Sequence, residues 1–177
     1  MQTAIQNIFC NIRKLTLKDI GVFLCIVLFF ITLDLYTKHI VFNANFSVFK
    51  ICNILNFVKV ENHGISFGLF AGSKVFVKKL IIFFNIIVCL FLFYLLSSKN
   101  EYKKPNIFII SISMIISGAI GNIIDRIAFG YVRDFIDFHI FDKHWPAFNI
   151  ADSCVCIGVG LWIILEMFKV KNTKIQK

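Results

Sequence analysis

Four apolar runs, Ile20–Leu33, Leu80–Leu96, Ile107–Ile124 and Ile150–Phe168, alternate with polar stretches along the chain. A helix that crosses a bilayer needs about 20 mainly apolar residues, within a range of roughly 17–25. The last three runs reach that length as they stand. The first reaches it if the helix continues through Asp34 to Lys38. The expected spans are about 20–38, 76–97, 106–125 and 150–169, with external segments at about 39–75 and 126–149.

Composition agrees with this division. The hydrophobic fraction is 58%, the mean hydropathy is +0.80, and only 16% of residues are charged, against about a quarter in soluble domains. These values select an integral membrane protein. The 177 residues form one membrane domain with little room for a separate soluble one. The net charge of +9 comes from basic flanks that favour anionic lipid, so no nucleic-acid partner is needed.

Orientation follows from Lys and Arg in the connecting segments. The N-terminal arm, with Arg13, Lys14 and Lys18, the loop "SSKNEYKK" and the tail "KVKNTKIQK" are short and lysine-rich. They are expected in the cytoplasm together with both termini, which puts the two longer segments outside. No small-x-small cleavage site follows the first run, so it reads as an uncleaved signal anchor. Cys25, Cys89, Cys154 and Cys156 lie in or beside apolar runs as small hydrophobes. Cys10 and Cys52 fall on opposite sides, and no disulfide framework or paired C-x-x-C is present.

The first external segment has strand character in "NFSVFK" and "ILNFVKVEN", so two or three short strands on the membrane surface are expected. The short loop around Asn100–Pro105 makes the second and third helices antiparallel neighbours. Ser111, Ser113, Ser117, Gly118 and Gly121 on the third helix allow close backbone approach in lipid. The fold class is therefore an all-α membrane protein of four helices with a small external β element.

Ionisable groups near a membrane core cost ~2.5–3.5 kcal/mol on insertion scales, so each needs a reason. Asp34 and Lys38 end the first helix. Asn122, Asp125 and Arg126 end the third. Asn149 and Asp152 begin the fourth. All three sets fall at the outer face, and three polar helix ends at one depth suggest one site. Asp34 and Lys38 are spaced i, i+4 and read as a structural ion pair or part of that site. Asn149 and Asp152 have capping-box spacing, which is compatible with a catalytic role for Asp152. Asp125 stands at a helix C-terminus, where the dipole disfavours an acid, and reads as a positioning pair with Arg126. Asp134, in "YVRDFIDF", is either a loop acid paired with Arg133 or a functional group. Asp137 and Asp142 read as exposed loop acids, and His139 and His144 as surface histidines. No H-x-x-x-H or H-E-x-x-H spacing supports a metal, and no cofactor is expected.

Nucleophilic catalysis has little support: Gly64–Gly68 around Ser66 and Ser47–Lys50 match the short G-x-S-x-G and S-x-x-K strings, each weak on its own, and Ser153 stands outside both. A carboxylate pair remains. Two adjacent aspartates share one proton, so the ionised member can take a proton from water while the protonated member donates to a carbonyl oxygen.

The strings "DLYTK" (34–38), "NHGISF" (62–67), "GAIGNIIDR" (118–126), "VRDF" (132–135) and "FNIAD" (148–152) resemble, in order, the motifs of bacterial lipoprotein signal peptidase, the type II signal peptidase. The resemblance covers most of the chain outside its two ends. It implies a four-helix aspartyl endopeptidase of the bacterial inner membrane with a surface-lying β-cradle. The family cleaves prolipoproteins before a diacylglyceryl-modified cysteine and is the target of the peptide antibiotic globomycin. The catalytic pair carries over to Asp134 and Asp152. Residues implied to line or brace the site are Asp34, Lys38, Asn62, Gly64, Asn122, Asp125, Arg126, Asn149 and Ala151, with Asn62 and Arg126 as substrate-binding groups. Leu35 and Ser117 depart from the usual glutamine and glycine. A monomer in membrane lipid is expected. Asp134 is preferred to Asp125 as partner of Asp152, because a cation beside Asp125 would hold it ionised.

Two other readings use the same residues. A small transporter or proton-relay protein would spread polar groups through the bilayer depth and show repeats. A scaffold protein would use the ion pairs structurally, but leaves three polar helix ends without a joint purpose.

Overall fold

A computed structural model describes residues 15–64, 74–98 and 106–175. The arm with Cys10, Arg13 and Lys14, the stretch with Ser66 and the loop at 99–105 lie outside the described residues. Four helices are long and apolar enough to cross a membrane: α1 (Leu17–Asn43), α2 (Lys74–Ser97), α3 (Asn106–Ala128) and α4 (Ile150–Ile175). The described residues also form four strands: β1 (Val48–Cys52), β2 (Leu55–Asn62), β3 (Val132–Ile140) and β4 (Lys143–His144).

Helix α1 starts at a capping box. Thr16 accepts from the Asp19 amide at 3.1 Å, and Asp19 accepts from the Thr16 amide at 3.2 Å. The helix continues past Lys38 to Asn43. Helix α3 is the hub. Its most apolar window is 72% buried, against 11–17% for the other three, and it packs on α1, α2 and α4. The small residues of α3 and α4 explain this approach. A methyl on Gly158 would stand 2.8 Å from the Ser111 carbonyl oxygen, and one on Gly118 would collide with the Ala151 carbonyl. Ser111, Ser113 and Ser117 turn their hydroxyls onto carbonyls of their own helix, so they stay small without exposing an unpaired donor. Val27, Leu92, Leu96, Phe108, Ile112 and Ile116 form the apolar cluster between the helices.

The strands form one antiparallel sheet in the order β1-β2-β3-β4. The first two match the expected strand-rich segment. The third lies in the second external segment, where "VRDFIDF" reads as a loop. It forms a strand because β2 covers one edge, and Phe148 covers the other through bonds to Phe135 and Ile136. Strand β2 holds one extra residue between Phe57 and Val60 relative to β3, and this bulge matters to the site.

Candidate active site

Asp134 and Asp152 belong to different layers. Asp134 is the third residue of β3 and is 1% exposed. Asp152 is the third residue of α4 and is half-buried. Three asparagines hold them, and Asn149 bonds both. Asn149 Nδ2 donates to Asp134 Oδ1 at 2.6 Å. Its Oδ1 accepts the Asp152 backbone N–H at 2.9 Å, while Asp152 Oδ2 accepts the Asn149 N–H at 3.2 Å. That reciprocal pair is a capping box at the start of α4. Asn122 Nδ2 donates to Asp152 Oδ1 at 2.8 Å, and Asn62 Nδ2 donates to Asp134 Oδ2 at 2.9 Å.

Each amide is oriented by a donor at its oxygen end. Asn62 Oδ1 accepts the Gly64 N–H at 2.8 Å. Asn122 Oδ1 accepts the Lys38 ammonium at 3.2 Å. Asn149 Oδ1 takes the Asp152 amide, so its NH2 group must face Asp134. The turn beyond Asn62 requires glycine: Gly64 has φ +71°, and a methyl there would stand 2.9 Å from Ile81 Cδ1. The β2 bulge supplies the rest. Asn56 and Asn62 have the same parity and would share a face of a regular strand. The extra residue turns Asn62 to the Asp134 face, while Asn56 faces Asp137 on the other, donating to its Oδ2 at 3.1 Å.

A buried charge network braces this arrangement. Lys38, fully buried, meets Asp34 at 2.7 Å and Asp125 at 3.2 Å in addition to Asn122. Asp34 Oδ1 accepts the Ala151 N–H at 2.9 Å, which ties α1 to the first turn of α4. Ala151 is completely buried, and a methyl on Gly121 would stand 3.3 Å from its Cβ and 2.8 Å from Asp34 Oδ2. Buried charges persist only when paired and hydrogen-bonded, and this cluster satisfies that.

Burial pushes the Asp134 carboxyl up to about 6, against donors on Asn62 and Asn149 that favour the ionised form; the nearby charge of Asp152 adds to the rise. A buried carboxyl that keeps its proton until about pH 6 is thus joined to a half-exposed one held by two donors. Such a pair can act as acid and base.

The family model described as Signal peptidase (SPase) II matches residues 26–168. The chain belongs to the signal peptidase II family. Its relatives include the lipoprotein signal peptidase of Thermodesulfovibrio yellowstonii, 40% identical over 158 residues that cover 88% of this chain and 98% of that one. The lipoprotein signal peptidase of Sulfurihydrogenibium sp. is 37% identical over 153 residues, covering 85% and 94%. A bacterial membrane enzyme solved by the in meso method at 2.3 Å resolution superposes with a TM-score of 0.74 at 30% identity, covering 92% of this chain and 94% of that chain. A second, solved at 1.9 Å by the same method, gives 0.72 at 33% identity and covers 82% and 92%.

Within this signal peptidase II chain, three expected pairings are corrected. Asp125 does not pair with Arg126. It accepts from Arg133, from Nη2 at 2.7 Å and Nε at 3.2 Å on Oδ1 and from the backbone N–H at 3.0 Å on Oδ2. A turn through Gly130 (φ +88°) brings β3 back against the end of α3, so the partner lies eight residues on. Arg126 reaches the Asn122 carbonyl at 3.4 Å, and its charge acts on Asp152 first and Asp134 second. Asp134 is accordingly not a loop acid neutralised by Arg133. Asp137 is not exposed either: it is 6% exposed and bonded to Asn56 and His144. Asp142 is exposed. Arg133 and Asn56 are the network members that sequence reasoning passes over. The glycine between a helix end and an apolar stretch was the available signal for Arg133, because it marks where the chain doubles back.

Proposed function

We propose that this protein is an aspartyl endopeptidase that removes the signal peptide from prolipoproteins, cutting just before the diacylglyceryl-modified cysteine. The observation that carries the reading is the Asn149 side chain, which bonds the buried carboxylate of Asp134 while capping the helix that presents Asp152. Asp152, half-buried, takes a proton from water as the water oxygen attacks the scissile carbonyl carbon. Asp134, protonated, gives its proton to the carbonyl oxygen. Asp152 then delivers its proton to the leaving nitrogen, the C–N bond breaks, and Asp134 recovers a proton from the collapsing diol. The products are a signal peptide ending in a carboxylate and a cysteine with a free amino group. Arg126, close to both aspartates, and Asn62 are the groups we assign to substrate binding.

The site belongs, in this reading, to the outer face of the inner membrane, with both termini in the cytoplasm. Support comes from the lysine-rich short segments and from three polar helix ends meeting at one depth. Globomycin would compete for this site, and the enzyme would work as a monomer without a metal. The test is cleavage of a diacylglyceryl-modified prolipoprotein by purified wild type and by Asp134→Asn, Asp152→Asn and Asp125→Asn. Loss in the first two with residual activity in the third supports the dyad. Activity in Asp134→Asn with none in Asp125→Asn reassigns the partner of Asp152. Cleavage that a chelator abolishes removes the metal-free mechanism.

A further inference from the structure

The grip on Asp134 is repeated three residues along β3. Asp134 is held from β2 by Asn62 and from the return segment by Asn149. Asp137 is held from β2 by Asn56 at 3.1 Å and from β4 by His144, whose Nδ1 lies 2.8 Å from Oδ1 and 3.0 Å from Oδ2. The odd spacing of the two aspartates puts them on opposite faces of β3. Asp137 therefore touches neither Asp152 nor the cleft, yet it binds β2, which carries Asn62, and β4, which begins the return segment that ends at Asn149.

The β4 end of the segment that leads to Asn149 is held less firmly than its Phe148 end. Strand β4 is two residues long, and Pro146 in the return segment has no N–H to give. Trp145 donates to the Phe138 carbonyl at 2.8 Å and Phe148 to the Ile136 carbonyl at 3.1 Å. The Phe148 carbonyl also accepts from the Phe135 and Ile136 amides at 3.0 and 2.8 Å, so the segment is anchored beside Asn149 and looser towards β4. His144 is the side chain that pins the start of the segment, and its ring stacks on His139 with centroids 5.0 Å apart. Burial alone would raise the Asp137 carboxyl, but His144 and then Asn56 hold it below its usual value.

We propose that Asp137 and His144 are positioning residues for the cleavage reaction: their hydrogen bond fixes the return segment against β3 so that Asn149 meets Asp134. This rests on the dyad reading given above. If the bond is lost, the β4 end of the segment loosens about its Phe148 anchor, and Asn149 shifts against Asp134 Oδ1. A misplacement on the order of 1 Å in a reacting constellation costs about 10²-fold in rate. One donor that favours the ionised form of Asp134 is lost with it, so the pH at which Asp134 releases its proton rises.

Two variants separate the bond from the stack. His144→Phe keeps a ring against His139 and removes the donor. His144→Asn keeps an N–H for Asp137 and removes the ring. The groups around His144 are Asp137 and His139 on β3, Lys143 beside it on β4 and Asp142 in the turn before it. Each variant is assayed in full-length protein on a diacylglyceryl-modified prolipoprotein, with kcat, KM, the pH profile of kcat/KM and thermal unfolding. His144→Phe is expected to lose about 10²-fold in kcat at unchanged KM, with its pH limb moved upward, while His144→Asn stays close to wild type in both. Both variants at wild-type rate, both impaired alike, or loss confined to His144→Asn would each overturn the proposal. Asp134→Asn is run beside them. If it cleaves, the dyad reading has failed; if it is dead while both His144 variants are normal, only the positioning role has failed.

Discussion

Asn149 gives an amide proton to Asp134 across 2.6 Å, and the same side chain caps the helix that carries Asp152. These two duties can be separated by substitution. Serine caps a helix about as well as asparagine but cannot reach a second carboxylate, and loss of a cap costs ~1 kcal/mol. Asn149→Ser should therefore unfold near the wild-type temperature yet lose most cleavage. Asn149→Ala should lose both. Thermal unfolding in detergent and prolipoprotein cleavage, run on both variants, check this. A fully active Asn149→Ser would mean that the bond to Asp134 has no catalytic consequence.

Asp125 should behave as a structural acid. It is fully buried between Arg133 and Lys38, and removing one partner of a buried ion network costs about 3–5 kcal/mol. Asp125→Asn is expected to lower the unfolding temperature and the yield sharply, while folded molecules keep measurable kcat. A stable Asp125→Asn protein with no activity would move it into the catalytic machinery.

The pH dependence follows from Asp134, pushed up to about 6 chiefly by burial. In the proposed mechanism it must hold its proton in the free enzyme, so kcat/KM should fall as pH rises through about 6. Stability should move in the same direction. The folded value lies above the unfolded one of about 3.9, so the folded state binds the extra proton. That contribution is complete below the unfolded value and is lost as pH rises through the folded one. Unfolding temperature measured between pH 4 and 7 should show a slope in wild type that is smaller in Asp134→Asn. Identical slopes would mean that the environment of Asp134 does not favour its neutral form.

Glycines on the helices should divide by what surrounds them. A methyl at Gly121 would meet Asp34 Oδ2 at 2.8 Å and Ala151 Cβ at 3.3 Å, whereas one at Gly160 meets nothing within 4 Å. Gly121→Ala is expected to reduce cleavage by at least tenfold, by spreading α1, α3 and α4. Gly160→Ala should be neutral or slightly stabilising. Paired cleavage assays and unfolding curves test both, and equal behaviour of the two would remove the crowding argument.

Much of this was legible before the coordinates. Run length and the polar helix ends define four helices and one site, because desolvating a charge is expensive enough to force a purpose on Asp34, Lys38 and Asp152. The pairing of Asn149 with Asp152 is local and follows from capping spacing. Arg133 and Asp137 were not legible for a physical reason. Their partners come from a helix end behind a turn, a neighbouring strand and a two-residue strand beyond the next turn, and "VRDFIDF" has no period-2 alternation because β3 is buried on both faces through Phe135. A strand held by long-range cover looks like a loop when read alone.

The bulge between Phe57 and Val60 has a consequence for how this protein can vary in length. With Asn56 committed to one face of the sheet and Asn62 to the other, the residues between them are counted in even and odd. Deleting one residue there would make the spacing five, equal to that of Asp137 and Val132 opposite, so a regular strand would carry Asn56 and Asn62 on opposite faces without a bulge. Inserting two would keep the face but carry Asn62 roughly 7 Å further along β3, out of reach of Asp134. Strand β2 can therefore lose the one bulged residue and keep both asparagines on their aspartates, whereas two added residues are as damaging as loss of the asparagine itself.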